Sequence, residues 1–365
     1  MNMKLGITGA VFLLLIFLLS GCMNPGAPYE RITILGETAP NGIYDPSIEY
    51  EDAETGWMAY STVAFPEYVH THLAKSIDHG KTWTYVMTIN QAVNGSVTYN
   101  GTELKGAWRH EVPTLVHDPN DAGKEWKLFW HKYFTIPPYE SENRLFVYGW
   151  IVYKYAPNPT GPWSEEIPLF GSGIYPLDPY EPLINLSGLH ENLHEIIIYS
   201  EPGSIVVDDV LYLSITGHIV KNDKNLASVI LLSSTDHGRN WTYVNTLLEN
   251  KDAEVYGGLY LSGSSLAREN DTIYLLACPI EESGKSLDIH HGTCIFVFED
   301  ITNGTLKRDA TGAPVLHKYL QKTLVNGGQS DYDEQNTYGG IVMPQLNLRA
   351  LPEAFQLYNT KETMS

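Results

Sequence analysis

The chain is punctuated by short β-branched and aromatic runs: Trp57-Met58-Ala59-Tyr60, Lys127-Leu128-Phe129-Trp130, Leu145-Phe146-Val147-Tyr148, Ser204-Ile205-Val206-Val207, Val210-Leu211-Tyr212-Leu213, Thr272-Ile273-Tyr274-Leu275-Leu276 and Cys294-Ile295-Phe296-Val297-Phe298. Clusters of Gly, Pro, Asn and Asp separate them, and few segments place apolar residues at helical spacing. Such runs, bounded by turn residues, read as strands. The pattern predicts an all-β chain of short antiparallel strands.

The runs recur in a fixed order. A first strand follows Asp45-Pro46-Ser47-Ile48, a second covers 56–61, a third 72–76, and a fourth starts at Trp83. The order repeats from Glu111-Val112-Pro113-Thr114 to Trp163, and from Glu201-Pro202-Gly203-Ser204 to Trp241. A fourth unit runs from Ser262 to Phe298, and a poorer fifth from Tyr338 to Leu357-Tyr358. Four-stranded units that bury both faces only against each other predict a β-propeller. Five blades is the simplest count, and six remains compatible with it. A two-layer sandwich would not explain why a Trp-terminated phrase returns at the end of a unit. The propeller is expected to span 39–365, with 23–38 as a short linker.

That phrase appears in full twice, as Ser76-Ile77-Asp78-His79-Gly80-Lys81-Thr82-Trp83 and Ser234-Thr235-Asp236-His237-Gly238-Arg239-Asn240-Trp241. Asp in a tight turn accepts backbone N–H groups, Gly supplies a positive φ, and Trp buries a large surface against the sheet. The spacing Ser-x-Asp-x-Gly-x-x-Trp resembles the Asp-box, or BNR repeat, of sialidases and several other propellers. The resemblance implies that Ser76, Asp78, Gly80, Trp83, Ser234, Asp236, Gly238 and Trp241 fasten the hairpin between a blade's third and fourth strands, away from the axis.

Propeller enzymes work where the innermost strands converge, so acids at the starts of units are the ones to examine. Three units carry one beside a proline: Tyr44-Asp45-Pro46, His110-Glu111-Val112-Pro113 and Ser200-Glu201-Pro202. Equivalent positions would aim these carboxylates at one centre. Hydrolysis of a glycosidic bond takes one protonated carboxyl for the leaving oxygen and one ionised carboxylate to activate water or attack directly. A third acid nearby raises the donor's pKa by like-charge repulsion. The trio, with Tyr155-Ala156-Pro157-Asn158-Pro159-Thr160-Gly161-Pro162-Trp163, resembles the five-bladed glycosidases of the arabinanase and β-xylosidase group over roughly the first three units. The resemblance implies Asp45 as general base, Glu111 as pKa modulator and Glu201 as general acid. Glu111 stands where that group usually has Asp, and Pro157 where it has Ser.

A sialidase is the competing activity, and it would need three arginines around a substrate carboxylate. The chain has seven Arg, of which Arg239 sits inside a turn; a triad would have to come from Arg31, Arg268 and Arg349. A non-catalytic propeller that binds carbohydrate or protein is the reading from a different class. Aromatic residues make up 12% of the chain, with 24 Tyr, which suits stacking on sugar rings. Tyr44, Arg109, His110, Trp130 and Tyr338 are the expected substrate contacts. Trp108, Tyr133, Trp150, Tyr256 and Tyr260 are further candidates, most of them as readily blade packing. His70-x-His72 and His290-His291 have metal spacing without accompanying ligands, so no metal or cofactor is expected.

The N-terminus changes the picture of where this happens. An apolar run, Val11 to Leu19, precedes Leu19-Ser20-Gly21-Cys22. It reads as a signal peptide over 1–22 with a lipobox, Cys22 taking the lipid; an uncleaved anchor is the alternative. An envelope lipoprotein facing outward is expected, touching membrane only through its lipid. The net charge of -20 excludes nucleic acid as a partner through a basic surface and leaves carbohydrate as the expected one. An exported setting permits a disulfide between Cys278 and Cys294, with two buried thiols as the equal alternative. Six Asn-x-Ser/Thr sequons, at Asn94, Asn100, Asn185, Asn240, Asn270 and Asn303, matter only in a glycosylating host.

Overall fold

The computed structural model describes residues 30–32, 34–38, 43–64, 68–99, 101–137, 146–171, 182–221, 224–256, 258–269, 271–282, 288–290, 293–320 and 355–357. Residues 1–22, expected to be a signal segment ending at Cys22, and Tyr338 lie outside them.

Strands β1 (Glu30–Ile32) and β2 (Ile34–Leu35) precede a first antiparallel blade of β3 (Ile43–Tyr50), β4 (Gly56–Ala64), β5 (Tyr68–Ser76) and β6 (Trp83–Asn90). Blade 2 is β8 (Thr102–His117), β9 (Trp126–Thr135), β10 (Phe146–Ala156) and β11 (Ile167–Gly171), widened by β7 (Val93–Tyr99) beside β8 and β12 (Ile184–Asn185) beside β11. Blade 3 is β13 (Ile198–Val207), β14 (Val210–Lys221), β15 (Lys224–Ser234) and β16 (Thr242–Leu248). A short helix α1 (Asn250–Glu254) leads to blade 4: β17 (Tyr260–Glu269), β18 (Thr272–Glu282), β20 (Thr293–Asp300) and β22 (Leu316–Leu320). Two small strands, β19 (Asp288–His290) and β21 (Thr305–Leu306), pair with β18 and β20. Last, β23 (Phe355–Leu357) pairs in parallel with β1.

The inner strands β3, β8, β13 and β17 pack against one another in succession, and the fold is an all-β propeller. Among the described residues it has four four-stranded blades; apart from β23, the fifth expected unit falls outside them. The blades explain the sequence pattern. Strand β9 is buried at every position except His131, because one face meets blade 1 and the other blade 3, so it reads apolar throughout rather than alternating. Ala59, Leu73, Leu128 and Trp130 form the core between blades 1 and 2. Phe129, Ile151, Leu213 and Ile230 do so between blades 2 and 3, and Val229, Leu231, Leu275 and Phe296 between blades 3 and 4. The remaining faces of blades 1 and 4 share a fourth cluster around Met58, Tyr60, Leu276 and Ile295.

Two expectations meet the described residues here, and of the two equal readings of the cysteines the buried thiols are the one present. Residues 34–38, within the expected linker 23–38, pack onto blade 1: Ile34 pairs beside Trp83, and the buried Glu37 carboxylate accepts the Tyr60 hydroxyl at 2.6 Å and meets His72 Nδ1 at 2.8 Å. Cys278 and Cys294 are free. Cys294 pairs with Ala277, so the two thiols alternate to opposite faces of blade 4 and join different cores.

Both Ser-x-Asp-x-Gly-x-x-Trp phrases form the hairpin from third to fourth strand. Ser76 Oγ donates to Asp78 Oδ1 and accepts Gly80 N–H, each at 2.8 Å, and Asp78 Oδ1 accepts Thr82 N–H at 2.9 Å. The indole of Trp83 donates to Gly80 O at 2.9 Å. The Ser234 hairpin repeats every one of these bonds within 0.1 Å. Positive φ falls on two consecutive residues, His79 and Gly80, then His237 and Gly238. The second hairpin is also tied to blade 2. His237 and Arg239 reach Asp118 and Asp121 at 3.0 and 2.8 Å, and buried Lys127 bridges the same two carboxylates at 3.0 and 2.9 Å.

Candidate active site

Each inner strand breaks its ladder at the same point. Register jumps between Tyr44 and Ser47, Glu111 and Thr114, Ser200 and Gly203, and Ser262 and Ser265. The two residues that there oppose a single residue of the second strand are Asp45-Pro46, Val112-Pro113, Glu201-Pro202 and Gly263-Ser264. The first of each has positive φ: 51, 51, 53 and 60°. These are β-bulges, which re-aim a side chain and free backbone groups from the sheet. Pro at the second place costs nothing there, since no ladder bond needs its missing N–H.

The bulge alignment corrects one expectation. Asp45, Val112, Glu201 and Gly263 are equivalent, so Glu111 lies one residue ahead of the place its counterparts occupy. Asp45 and Glu201 share a device. Asp45 accepts the Ser61 hydroxyl and the bulge N–H of Val112 in the next blade, and that N–H also meets Ser61 Oγ at 2.9 Å. Glu201 Oε2 accepts the bulge N–H of Gly263, again in the next blade, at 2.6 Å, and Thr216 Oγ1 meets the same N–H at 3.2 Å. Ser61 and Thr216 hold matching positions on second strands, opposite Tyr44 and Ser200. Sequence reading passed over both, and the only available signal was their pairing with the residue before each bulge.

The three carboxyls come into one electrostatic field. Burial pushes Asp45 up to about 8; the negative charges of Glu111 and Glu201 add to that, against the bonds from Ser61 and Val112. Loss of hydration and like charge both favour the neutral acid. At neutral pH the proton therefore rests on Asp45, whereas the family likeness made Asp45 the base. Glu111 accepts the hydroxyl of Tyr133.

The other expected contacts divide. Tyr44 pairs with Ser61 immediately before Asp45. Arg109 is on the Glu111 side of β8, 1% exposed, its guanidinium 6.0 Å from the Tyr133 ring centre. His110 and Trp130 are not presented to the axis. Trp130 Nε1 donates to His110 Nδ1 at 3.0 Å within the contact between blades 1 and 2. Of the further aromatics, Trp108 and Trp150 stack edge-on at 5.4 Å and Tyr256 bonds Pro314 O at 2.8 Å, so these pack blades together. His72 is engaged by Glu37 and His70 by Ala92 N–H. Arg268 lies at the end of β17 remote from Gly263, exposed and 3.9 Å from Asp271, which removes it from any arginine triad at the site.

No family model matches the chain, and no curated protein matches it by sequence. Solved structures do match. One is the "Hadza microbial sialidase Hz136", at 12% identity and TM-score 0.43, over 74% of this chain and 47% of that one. Another is an exo-1,5-alpha-L-arabinanase from a bovine ruminal metagenomic library, at 14% identity and TM-score 0.45, over 76% and 78% of the two chains. A thermostable family-43 glycoside hydrolase matches at 12% identity and TM-score 0.46, over 78% and 75%. The chain thus spans about half the length of that sialidase.

Proposed function

We propose that this chain is a glycoside hydrolase that cuts its substrate at the propeller axis with Asp45, Glu111 and Glu201. The observation that carries the reading is the shared field of three carboxyls, in which burial, and then the charges of Glu111 and Glu201, raise Asp45 and favour its protonated form. A protonated carboxyl and further carboxylates around one pocket are what glycosidic hydrolysis takes. Asp45 and Glu201, two blades apart with matching clamps, are the acid and base pair, and Glu111 adds to the proton affinity of Asp45. The Asp-box hairpins hold the blades and take no part in the chemistry. Export and a lipid on Cys22 would put the site outside the cell, where a polymeric glycan is met.

The test is hydrolysis and binding across a panel of aryl furanosides, aryl pyranosides and oligosaccharides, for the parent and Glu201→Gln. The parent should hydrolyse at least one, and the variant should lose about 100-fold or more while still binding it. Undiminished hydrolysis by Glu201→Gln removes that residue from the mechanism. Binding without hydrolysis in the parent makes the protein a carbohydrate-binding module.

A further inference from the structure

Blade 2 departs from the rule that its neighbours follow. In blades 1 and 3 the acid is the bulge residue and is held by the next blade's bulge N–H. In blade 2 that place belongs to Val112, and Glu111, one residue earlier, needs another partner. Tyr133 supplies it. The Tyr133 hydroxyl donates to Glu111 Oε2; the residue is 3% exposed. Register fixes the contact: His131 is opposite Glu111 and Tyr133 opposite Arg109, so all four side chains leave the same face of the blade. Phenol donation to a carboxylate favours the ionised form and is stronger than a bond between neutral groups.

We propose that Tyr133 is a positioning residue whose hydroxyl holds the Glu111 carboxylate in its place among the axial acids. The inference rests on the hydrolase reading and adds to it a residue that acts through Glu111. The charged and titratable groups around the pair are Asp45 from β3, Arg109 and Glu111 from β8, and His131 and Tyr133 from β9. Glu201 from β13, His218 from β14 and Cys278 from β18 complete the set. Burial, then the charge of His218, lowers His131 to about 3, so it stays neutral through the working range. Burial holds the Cys278 thiol protonated. Glu111 is the group that Tyr133 bonds and whose charge acts on Asp45.

Carbon-13 NMR titration of side-chain carboxyls, with Asp45 assigned through Asp45→Asn, reads the effect without any substrate. In the parent, Asp45 should titrate near pH 8. In Tyr133→Phe, Glu111 competes for the proton and the Asp45 midpoint should fall by about one pH unit, a tenfold loss of proton affinity. The alkaline limb of the pH-rate profile should move with it. An unmoved midpoint in a folded Tyr133→Phe overturns the proposal, as does loss of turnover at every pH with the midpoint unmoved, since Tyr133 would then act on substrate directly. If that variant does not fold, the parent answers instead. The Tyr133 hydroxyl proton should resonate far downfield and vanish in Glu111→Gln; its absence in the parent overturns the proposal. A shifted midpoint in a protein that hydrolyses nothing would sink the hydrolase reading and leave the Tyr133 contact standing.

Discussion

Asp236 in the hairpin and Asp45 at the axis accept the same kinds of bond: a serine hydroxyl and backbone N–H groups, one for Asp45 and two, from Arg239 and Asn240, for Asp236, which also takes the Asn240 amide. Their acidities are opposite. At Asp236 burial is the largest single influence and pulls upward, but the bonds from Asn240, Ser234 and Arg239 together outweigh it and hold the carboxyl at about 2. At Asp45 burial is deep, Glu111 and Glu201 add negative charge, and the same kinds of bond leave it near 8. Hydrogen bonds alone therefore do not decide what an acid does; hydration and company do. The hairpin acid is a fixed anion that organises a turn, and the axial acid is a proton store.

The comparison can be broken first at the hairpins. Trp83 is fully buried, and Trp83→Ala should cost about 3–5 kcal/mol in denaturant unfolding, with the axial acids titrating as before in whatever remains folded. A loss below about 1 kcal/mol would show that the phrase does not fasten the blade. A smaller effect sharpens the contrast. Ser234→Ala leaves the buried Gly238 N–H without its acceptor at 2.7 Å, at a cost of about 1–2 kcal/mol by the same measurement. It should leave hydrolysis unchanged, because the hairpin is at the outer edge of blade 3. Altered turnover in that variant would mean that the two regions communicate.

The fold was largely legible in the chain because it repeats. Strand runs, Trp-ended units and the acid-before-proline starts all recur with the blade, and a periodic pattern survives errors in any one strand. That Asp45 and Glu201 hold equivalent places, both at the turn of a bulge, was legible for the same reason. Glu111 was found at the wrong register, since Glu-x-Pro and Glu-Pro look alike until the bulge shows which residue turns. His110 and Trp130 failed as axial contacts because alternation along β8 and β9 sends them to the neighbouring blade. Tyr133, Ser61 and Thr216 lie on second strands and meet the acids only through cross-strand pairing, which no local pattern announces. The free Cys278 and Cys294 show the same limit: adjacency in a sheet is not enough when faces alternate.

The central claim is that the fold raises the proton affinity of Asp45 at the axis, and stability linkage tests it most directly. A carboxyl raised from 3.8 to about 8 binds more protons folded than unfolded between those values. Parent stability should therefore fall as pH rises from about 4 to about 8 and level off beyond, by about 1 kcal/mol per pH unit at the steepest. Asp45→Asn cannot ionise. Its stability relative to the parent, measured by denaturant unfolding at each pH, should climb across that window and then level. A difference that stays flat from pH 4 to pH 9 would mean that Asp45 is an ordinary carboxylate, and the account of the axial site would be wrong.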